Sequence, residues 1–260
     1  MAKTFWFGEV AAPRSYRSSS NLKQLRFRIM NQPLRLFRHP LWLEWRGLIV
    51  FLIVMIAFRS AIADWNQVPT GSMKPTILDG DRVVVNKLAY RLRFPLTNWE
   101  LLRWSAPARG DIITFYSPLD SELLIKRVIG IPGDQIALAN NALIVNGKTS
   151  EYSRIDNEVI TSLDRFQKAR HRFFYEHIGQ SKHPVMVQPG TATTYNSFDA
   201  ITVPPGKFLV LGDNRDNSKD SRVFGLVSAD QVMGKAFAVA FSMNYDNYYL
   251  PRGDRFFQSL

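Results

Sequence analysis

An uncharged apolar run near the N-terminus constrains the fold of this chain more than any other feature. GLIVFLIVMIAF, residues 47–58, contains no charge, and extension to Ala63 gives 17 residues that include Arg59. About 17–25 residues span a bilayer, and an arginine one turn from a helix end can extend its charged group to the interface. Aromatic residues typical of membrane interfaces flank the run: Trp42, Trp45 and Trp65. The run therefore predicts a transmembrane helix over residues 47–63, with a buried soluble helix as the alternative.

The charge distribution predicts the orientation of this helix. Residues 1–46 contain nine basic and two acidic residues, a net +7 of the +11 carried by the 260-residue chain. A basic segment before an apolar run is typical of a cytoplasmic N-terminus, with the rest of the chain on the outer side. A removable signal peptide would begin closer to the N-terminus and end in a small-x-small site. Because the basic excess ends where the apolar run begins, a nucleic-acid partner is not expected.

Cysteine is absent, which excludes disulfides and cysteine-ligated metal sites. Apolar residues make up 46% of the chain, enough for a substantial core and too many for a disordered protein. Any exported domain must therefore be stabilised by that core alone.

Beyond residue 64 the sequence alternates between strand-like runs and turn residues. An Asn-Gly pair at 146–147 predicts a hairpin, and Pro132-Gly133-Asp134 predicts a turn. The predicted strands lie within 81–90, 109–118, 122–136, 142–150, 206–214 and 231–243. The fold class is therefore mainly β.

The strand pattern weakens between residues 149 and 203, where the candidate strands are short and polar. We interpret 149–203 as an inserted smaller β subdomain. The predicted organisation is a basic cytoplasmic segment at 1–46, an anchor at 47–63 and a main β domain at 64–148 and 204–260.

A lone serine, Ser72, follows the anchor in VPTGSMKPTILDGD, residues 68–81. A surface loop would explain it, but so would a nucleophile, which needs a base to remove its proton. His39 precedes the anchor, and the other histidines are expected at the surface of the weakly patterned region: His171, His177 and His183. Their spacing does not match a helical zinc pair, and no metal is predicted.

A lysine can act as the base if burial lowers its pKa. Lys126 lies within the apolar run LLIKRVIG, so it is a candidate, although a lysine at a strand edge would fit the same pattern. Lys74 is a rival base, but it precedes a proline in a loop and is expected to be solvated and protonated.

A third polar motif, LGDNRDNSKDSRVFG, spans residues 211–225 after a predicted strand. Such residues form rigid hydrogen-bonded networks. The EF-hand order is missing, so a calcium loop is a weak alternative. The Arg-Gly-Asp triplets at 109–111 and 252–254 are expected to be turns, and VNGKTS lacks the first glycine of a phosphate-binding loop.

Together, PTGSMKPT, RGDII with LLIKRVIGIPGD, and GDNRDNSKDSR resemble the motifs of bacterial type I signal peptidases, in the same order and after an N-terminal anchor. The resemblance covers about residues 47–243, although 149–203 contributes little. It implies a serine endopeptidase with a Ser/Lys dyad, no cofactor, and a coiled, mostly antiparallel β-sheet catalytic domain.

The resemblance also implies a role for individual residues. Ser72 would be the nucleophile, Lys126 the general base, and the Thr70 hydroxyl with the Ser72 N–H the oxyanion hole. Ser218 would orient the lysine. Three further residues would support the site: Asp220, Arg222 and Asp213.

The implied substrates are signal-peptide-bearing pre-proteins, bound extended with small side chains at the first and third residues before the cut. The implied location is the bacterial inner membrane, in a single pass, with the catalytic domain outside. The phospholipid bilayer is an expected partner and the export machinery a candidate one. Trp65 and residues 94–104 are candidates for an apolar rim near the bilayer.

Two alternative functions remain open at this point. The chain could be a narrower serine/lysine protein, such as a maturation peptidase or a self-cleaving repressor, although an anchor argues against a repressor. It could also be a non-catalytic anchored scaffold, which would tolerate loss of Ser72 and Lys126.

Overall fold

The computed structural model describes residues 40–97, 99–157, 160, 163–179, 181–190, 195–245 and 247–260. The chain divides into two compact units, Met1–Ile53 and Val54–Leu260. Most of the basic segment predicted at 1–46, including His39, lies outside the described residues.

A 22-residue helix, α1 (Pro40–Ala61), contains most of the predicted anchor. Its sequence contains four Leu, three Ile and two Val, and its last turn contains Arg59. Large apolar side chains are exposed along it, among them Phe51, Ile53, Val54 and Phe58. Within the described part of the chain, no helix meets the length and apolarity needed to cross a membrane.

The unit that begins at Val54 is mainly β. Its strands are β1 (Ala63–Gln67), β2 (Asp81–Asn86), β3 (Arg91–Arg93), β4 (Glu100–Arg103), β5 (Ile112–Tyr116), β6 (Leu123–Gly130), β7 (Gln135–Ala139), β8 (Ala142–Val145), β9 (Lys148–Thr149), β10 (Glu151–Ile155), β11 (Arg172–Ile178), β12 (Ser181–Val187), β13 (Phe198–Thr202), β14 (Lys207–Leu211), β15 (Val227–Ser228), β16 (Val232–Asn244), β17 (Leu250–Pro251) and β18 (Gln258–Ser259).

The largest sheet has the strand order β1-β2-β16-β5-β6-β14-β15, with β17 and β18 paired to β16. Every strand pair in it is antiparallel, as predicted. The register of β16 shifts against both β2 and β5, which is typical of β-bulges and increases strand twist.

Three smaller antiparallel sheets complete the unit, with the orders β10-β11-β12, β13-β7-β8-β9 and β3-β4. The first lies wholly within residues 149–203, whereas β13 pairs with β7 from outside that range. The boundaries of the inserted subdomain therefore stay a prediction.

Short helical segments join the strands. They are α2 (Arg165–Arg170), α3 (Ser221–Phe224) and the 3₁₀ turns Gly71–Met73, Lys87–Ala89, Ala229–Gln231 and Gly253–Arg255. The Asp164 carboxylate caps α2, and the Asp220 carboxylate caps α3.

The core lies on both faces of β6 and β14. One cluster contains Val128 and Val210, and another contains Ile129 and Leu209. Because successive side chains of a strand point to opposite faces, both faces of the sheet are covered at these strands. This double burial explains why residues 123–131 are apolar or glycine except at Lys126 and Arg127.

Each predicted strand range overlaps an observed strand, although the observed bounds differ from the predicted ones. The strand predicted over 81–90 ends at Asn86, because the chain turns into the 3₁₀ segment Lys87–Ala89. Asn146 and Gly147 form the predicted hairpin turn, with φ of 51° and 76°. Arg109-Gly110-Asp111 is a turn, as expected, closed by a hydrogen bond from Asp111 N to Ala108 O.

Candidate active site

Ser72 lies in the middle of the 3₁₀ turn Gly71–Met73, and 8% of it is exposed. Met73 anchors the turn because its side chain is fully buried with Val68 and Ile77. The proline and glycine around the serine favour a tight turn. The nucleophile candidate is thus held by the core and is no part of a free surface loop.

Lys126 lies on β6 and is 3% exposed. Its Nζ donates hydrogen bonds to Ser72 Oγ (2.7 Å) and to Ile125 O (2.9 Å). Burial lowers the pKa of the Lys126 amine to about 8, although the charges of Asp220 and Asp213 act in the opposite direction. A substantial fraction of this amine is therefore neutral near physiological pH.

The expectation that Lys74 is solvated is wrong. Its Nζ lies 2.5 Å from Asp79 Oδ1, and both side chains are largely buried. Burial raises the pKa of Asp79, but hydrogen bonding and the charge of Lys74 outweigh it, so the net shift is downward. The Lys74 ammonium is thus engaged in an ion pair with Asp79, whereas Lys126 contacts Ser72 Oγ.

Asn214 and Gly212 fix the nucleophile turn, a role that the motif alone did not assign to them. Asn214 donates from its backbone N to Ser72 O (3.1 Å) and from Nδ2 to Gly71 O (3.0 Å). A Cβ on Gly212 would lie 2.5 Å from Ser72 O and 2.2 Å from Ser218 Oγ. The sequence signal for both residues was their position in the 211–225 motif, on either side of Asp213.

Asp213 joins β6 to the segment after the nucleophile. Arg127 donates from Nε and Nη2 to its two carboxylate oxygens (2.8 and 2.7 Å), and Thr76 donates from Oγ1 to Oδ2 (2.5 Å). Burial alone would raise the pKa of Asp213, but Arg127 holds it below its usual value. Arg127, which follows the candidate base Lys126, is thereby hydrogen-bonded to the 211–225 motif.

Asp220 and Arg222 form a second buried pair in the same motif. Arg222 donates from Nε and Nη2 to the Asp220 carboxylate (2.8 Å each) and from Nη2 to Arg215 O (2.6 Å). Asp220 also accepts from Gly212 N (3.0 Å). The pair therefore supports the glycine that approaches Ser72.

Ser218 and Thr70 lie beside the dyad without hydrogen-bonding to it. Ser218 Oγ is buried and has no hydrogen-bond partner among the described residues. Thr70 is exposed and precedes the nucleophile turn in extended conformation. The roles implied for both residues stay predictions.

The expectation of surface histidines is wrong for His183. His183 is buried on β12, with Nε2 3.2 Å from Glu176 Oε2, and His171 and His177 are half-buried. His183 is removed from solvent because it lies on the inner strand face of the β10-β11-β12 sheet beside Glu176. In the described ranges, no cluster of three His, Asp or Glu side chains could hold a metal ion.

Comparisons with known proteins identify the family. The family model "Signal peptidase, peptidase S26" matches residues 42–241. The chain is 32% identical to signal peptidase I of Pseudomonas aeruginosa over 220 residues, covering 79% of this chain and 74% of that one. It is also 32% identical to signal peptidase I of Pseudomonas fluorescens, with the same coverage of each chain.

A crystal structure of a signal peptidase I from Enterococcus faecalis is 28% identical and covers 50% of this chain and 95% of that chain, with a TM-score of 0.31. A score this low carries no argument about the fold, and the assignment depends on the sequence matches. The chain therefore belongs to the signal peptidase family, peptidase S26, and is a serine endopeptidase.

Proposed function

We propose that this endopeptidase removes N-terminal signal peptides from exported pre-proteins, with Ser72 as nucleophile and Lys126 as general base. The observation that supports this most directly is the 2.7 Å hydrogen bond between Lys126 Nζ and Ser72 Oγ inside the core. A neutral amine at that distance can accept the hydroxyl proton along the same line.

The reaction proceeds in two steps. Lys126 takes the Ser72 proton while Oγ attacks the scissile carbonyl carbon, and the resulting ammonium protonates the amine of the departing mature chain. The signal peptide is then esterified to Ser72. Water, activated by the same lysine, attacks this ester and releases the signal peptide as a carboxylic acid.

The oxyanion of each tetrahedral intermediate is held by the Ser72 N–H and the Thr70 hydroxyl. The first N–H groups of a helical turn have no acceptor within that turn, and Ser72 lies in the first turn of the 3₁₀ segment. Thr70 is exposed just before it, so rotation of its side chain can bring the hydroxyl to the same oxygen.

Ser218, Asp213, Asp220 and Arg222 support the dyad. The Ser218 hydroxyl is buried beside Gly212 and is free to accept from the Lys126 ammonium once the substrate is bound. Asp213 binds the polar motif to β6 through Arg127, and the Asp220–Arg222 pair holds the backbone of the motif at Gly212.

The enzyme is anchored in the bacterial inner membrane by residues 47–63, with a cytoplasmic N-terminus and the catalytic domain outside. The basic excess before Gly47 and the exposed apolar side chains of α1 support this topology. Trp65 and several side chains of the 94–104 segment are also exposed, in keeping with a rim at the bilayer. Partners are the pre-proteins, the lipid bilayer and the export machinery.

The test is cleavage of a purified secreted precursor by the full-length protein in liposomes, with N-terminal sequencing of the product. Wild type is expected to cut once, after a small-x-small sequence, and Ser72→Ala is expected to leave the precursor intact. Cleavage by folded Ser72→Ala at the wild-type rate would overturn the proposal.

A further inference from the structure

The largest fully buried side chain in the described residues is a charged one, Arg215, in the polar motif. It is 1% exposed, and its Nη2 donates to Oε2 of Glu176, a residue of β11 that is 0% exposed. Neither residue has a part in the proton transfers above. A buried ion pair contributes little net stability after desolvation, so its retention calls for a positional explanation.

All three strands of the β10-β11-β12 sheet converge on Glu176. Tyr152 of β10 donates its hydroxyl to Glu176 Oε1, and His183 of β12 lies 3.2 Å from Oε2. Burial raises the pKa of the Glu176 carboxyl, but the adjacent Arg215 and His183 outweigh this and hold it below its ordinary value. The sheet therefore presents one ionised carboxylate to the polar motif.

The same sheet also binds the backbone on both sides of Asn214. Met186 of β12 donates from N to Asp213 O (2.9 Å) and accepts at O from Arg215 N (3.0 Å). Asn214 is thus held from one side by Met186 and contacts Gly71 O and Ser72 O on the other. A path therefore leads from Glu176 through its hydrogen bond with Arg215, along the peptide bond to Asn214, and through the hydrogen bonds of Asn214 to the nucleophile turn.

We propose that Glu176 is a positioning residue for Ser72, acting through Arg215 and Asn214, so that the inserted sheet sets the geometry of the nucleophile. The inference rests on the proposed role of Ser72. Loss of the carboxylate leaves Arg215 buried without a counter-charge, and its guanidinium must move toward solvent. Asn214 is the preceding residue, so it moves as well, and it carries the Ser72 carbonyl with it.

A displacement of this kind acts on turnover more than on substrate binding. A misplacement of about 1 Å of a reacting group can cost roughly 100-fold in rate. The pKa of Lys126 depends on burial and on Asp220 and Asp213, which the change leaves in place. We expect a lower kcat, an unchanged KM and an unchanged pH dependence of cleavage.

The experiment compares Glu176→Gln and Glu176→Asp in the full-length protein, with precursor cleavage and thermal melting measured for each. We expect kcat to fall about 100-fold for the Gln variant and about tenfold for the Asp variant, at constant KM. The Asp variant retains the charge and moves it back by one methylene, so its kcat lies between wild type and Gln.

The matched control is Asp134→Asn. Asp134 is buried and accepts from Arg109 (2.6 Å), so its loss also leaves an arginine without its carboxylate, but its partners Arg109, Ile131 and Asn146 lie outside the nucleophile turn. Its kcat is expected to stay at the wild-type value.

A folded Glu176→Gln with wild-type kcat would overturn the inference, whatever its melting temperature. If Glu176→Gln does not fold, a folded Glu176→Asp with wild-type kcat overturns it equally. Ser72→Ala is measured in parallel: if it is inactive while Glu176→Gln is fully active, the proposed function stands and only this inference fails.

Discussion

Lys126 Nζ lies 2.7 Å from Ser72 Oγ, although 54 positions separate the two residues in the chain. The antiparallel sheet carries the lysine on β6, and the polar motif holds the serine turn against it through Asn214. Burial of both residues makes the amine a weaker base than in water and allows it to be neutral when the substrate arrives.

The pH dependence of cleavage reports the protonation of Lys126. Only the neutral amine can accept the Ser72 proton, so kcat/KM is expected to rise with pH and level off above about 8, the pKa of the buried amine. A lysine with its ordinary pKa would place this limb above pH 10. Initial rates between pH 5.5 and 10 decide between the two.

Substitution of the buried lysine by a neutral side chain of similar size should stabilise the fold. The unfolded chain binds this proton more tightly than the folded one between pH 8 and 10.5, so the protonated lysine costs stability at lower pH. We expect the inactive Lys126→Met variant to have a free energy of unfolding about 1–3 kcal/mol higher than wild type at pH 7, measured by urea unfolding. The difference should shrink as pH rises through this window; a gain that is equal at pH 7 and 10.5 would contradict the assignment.

Local sequence patterns predicted most of the fold. The β-branched and apolar runs identified the strands of the large sheet, and Asn146-Gly147 identified a hairpin because both residues adopt positive φ readily. For the β10-β11-β12 sheet, the sequence predicted a smaller β subdomain but not the bounds of its strands, because these strands carry polar residues at buried positions. Glu176 and His183 are buried there by pairing with other charged groups, which no local pattern reveals.

The candidate site was predictable in its residue types but not in its contacts. Lys126 was recognisable as a charged residue in an apolar strand. The ion pair between Lys74 and Asp79 was not predictable, because the two side chains meet across a turn whose geometry the sequence alone does not give. The role of Asn214 depends on a contact between segments far apart in the chain, so only the folded structure shows it.

Gly212 should be irreplaceable for a steric reason. A Cβ there would lie 2.5 Å from Ser72 O and 2.2 Å from Ser218 Oγ, so Gly212→Ala must displace the nucleophile turn. We expect at least a tenfold loss in kcat, since reacting groups tolerate little displacement. Gly253→Ala is the control, because no atom lies within 4 Å of its added Cβ. Equal turnover in both variants would refute this role.

Asp213 should contribute to the stability of the fold. Asp213→Asn leaves Arg127 buried without its carboxylate, which typically costs about 3–5 kcal/mol. Urea unfolding at pH 7 measures the loss. Asp120→Asn, which breaks the exposed pair with Lys219, should leave the unfolding midpoint nearly unchanged. If both variants unfold at the wild-type urea midpoint, the ion pair between Asp213 and Arg127 does not stabilise the fold.

Thr70 should contribute through its hydroxyl. Thr70→Val keeps the shape and removes the donor, and loss of one oxyanion donor costs about 100- to 1,000-fold in kcat. Thr70→Ser restores a hydroxyl and should retain most of the turnover. Because Thr70 is exposed, neither change should alter the melting temperature. Turnover in Thr70→Val close to that of Thr70→Ser would exclude the hydroxyl from catalysis.

The identity of the base is the central claim, and a comparison of two lysines tests it most directly. Single-turnover cleavage of a precursor is measured for wild type, Lys126→Ala and Lys74→Ala, with folding verified by thermal melting. The Ser72–Lys126 contact predicts that folded Lys126→Ala is inactive and that Lys74→Ala, which loses the ion pair with Asp79, still cleaves. Cleavage by Lys126→Ala together with an inactive, folded Lys74→Ala would contradict the account.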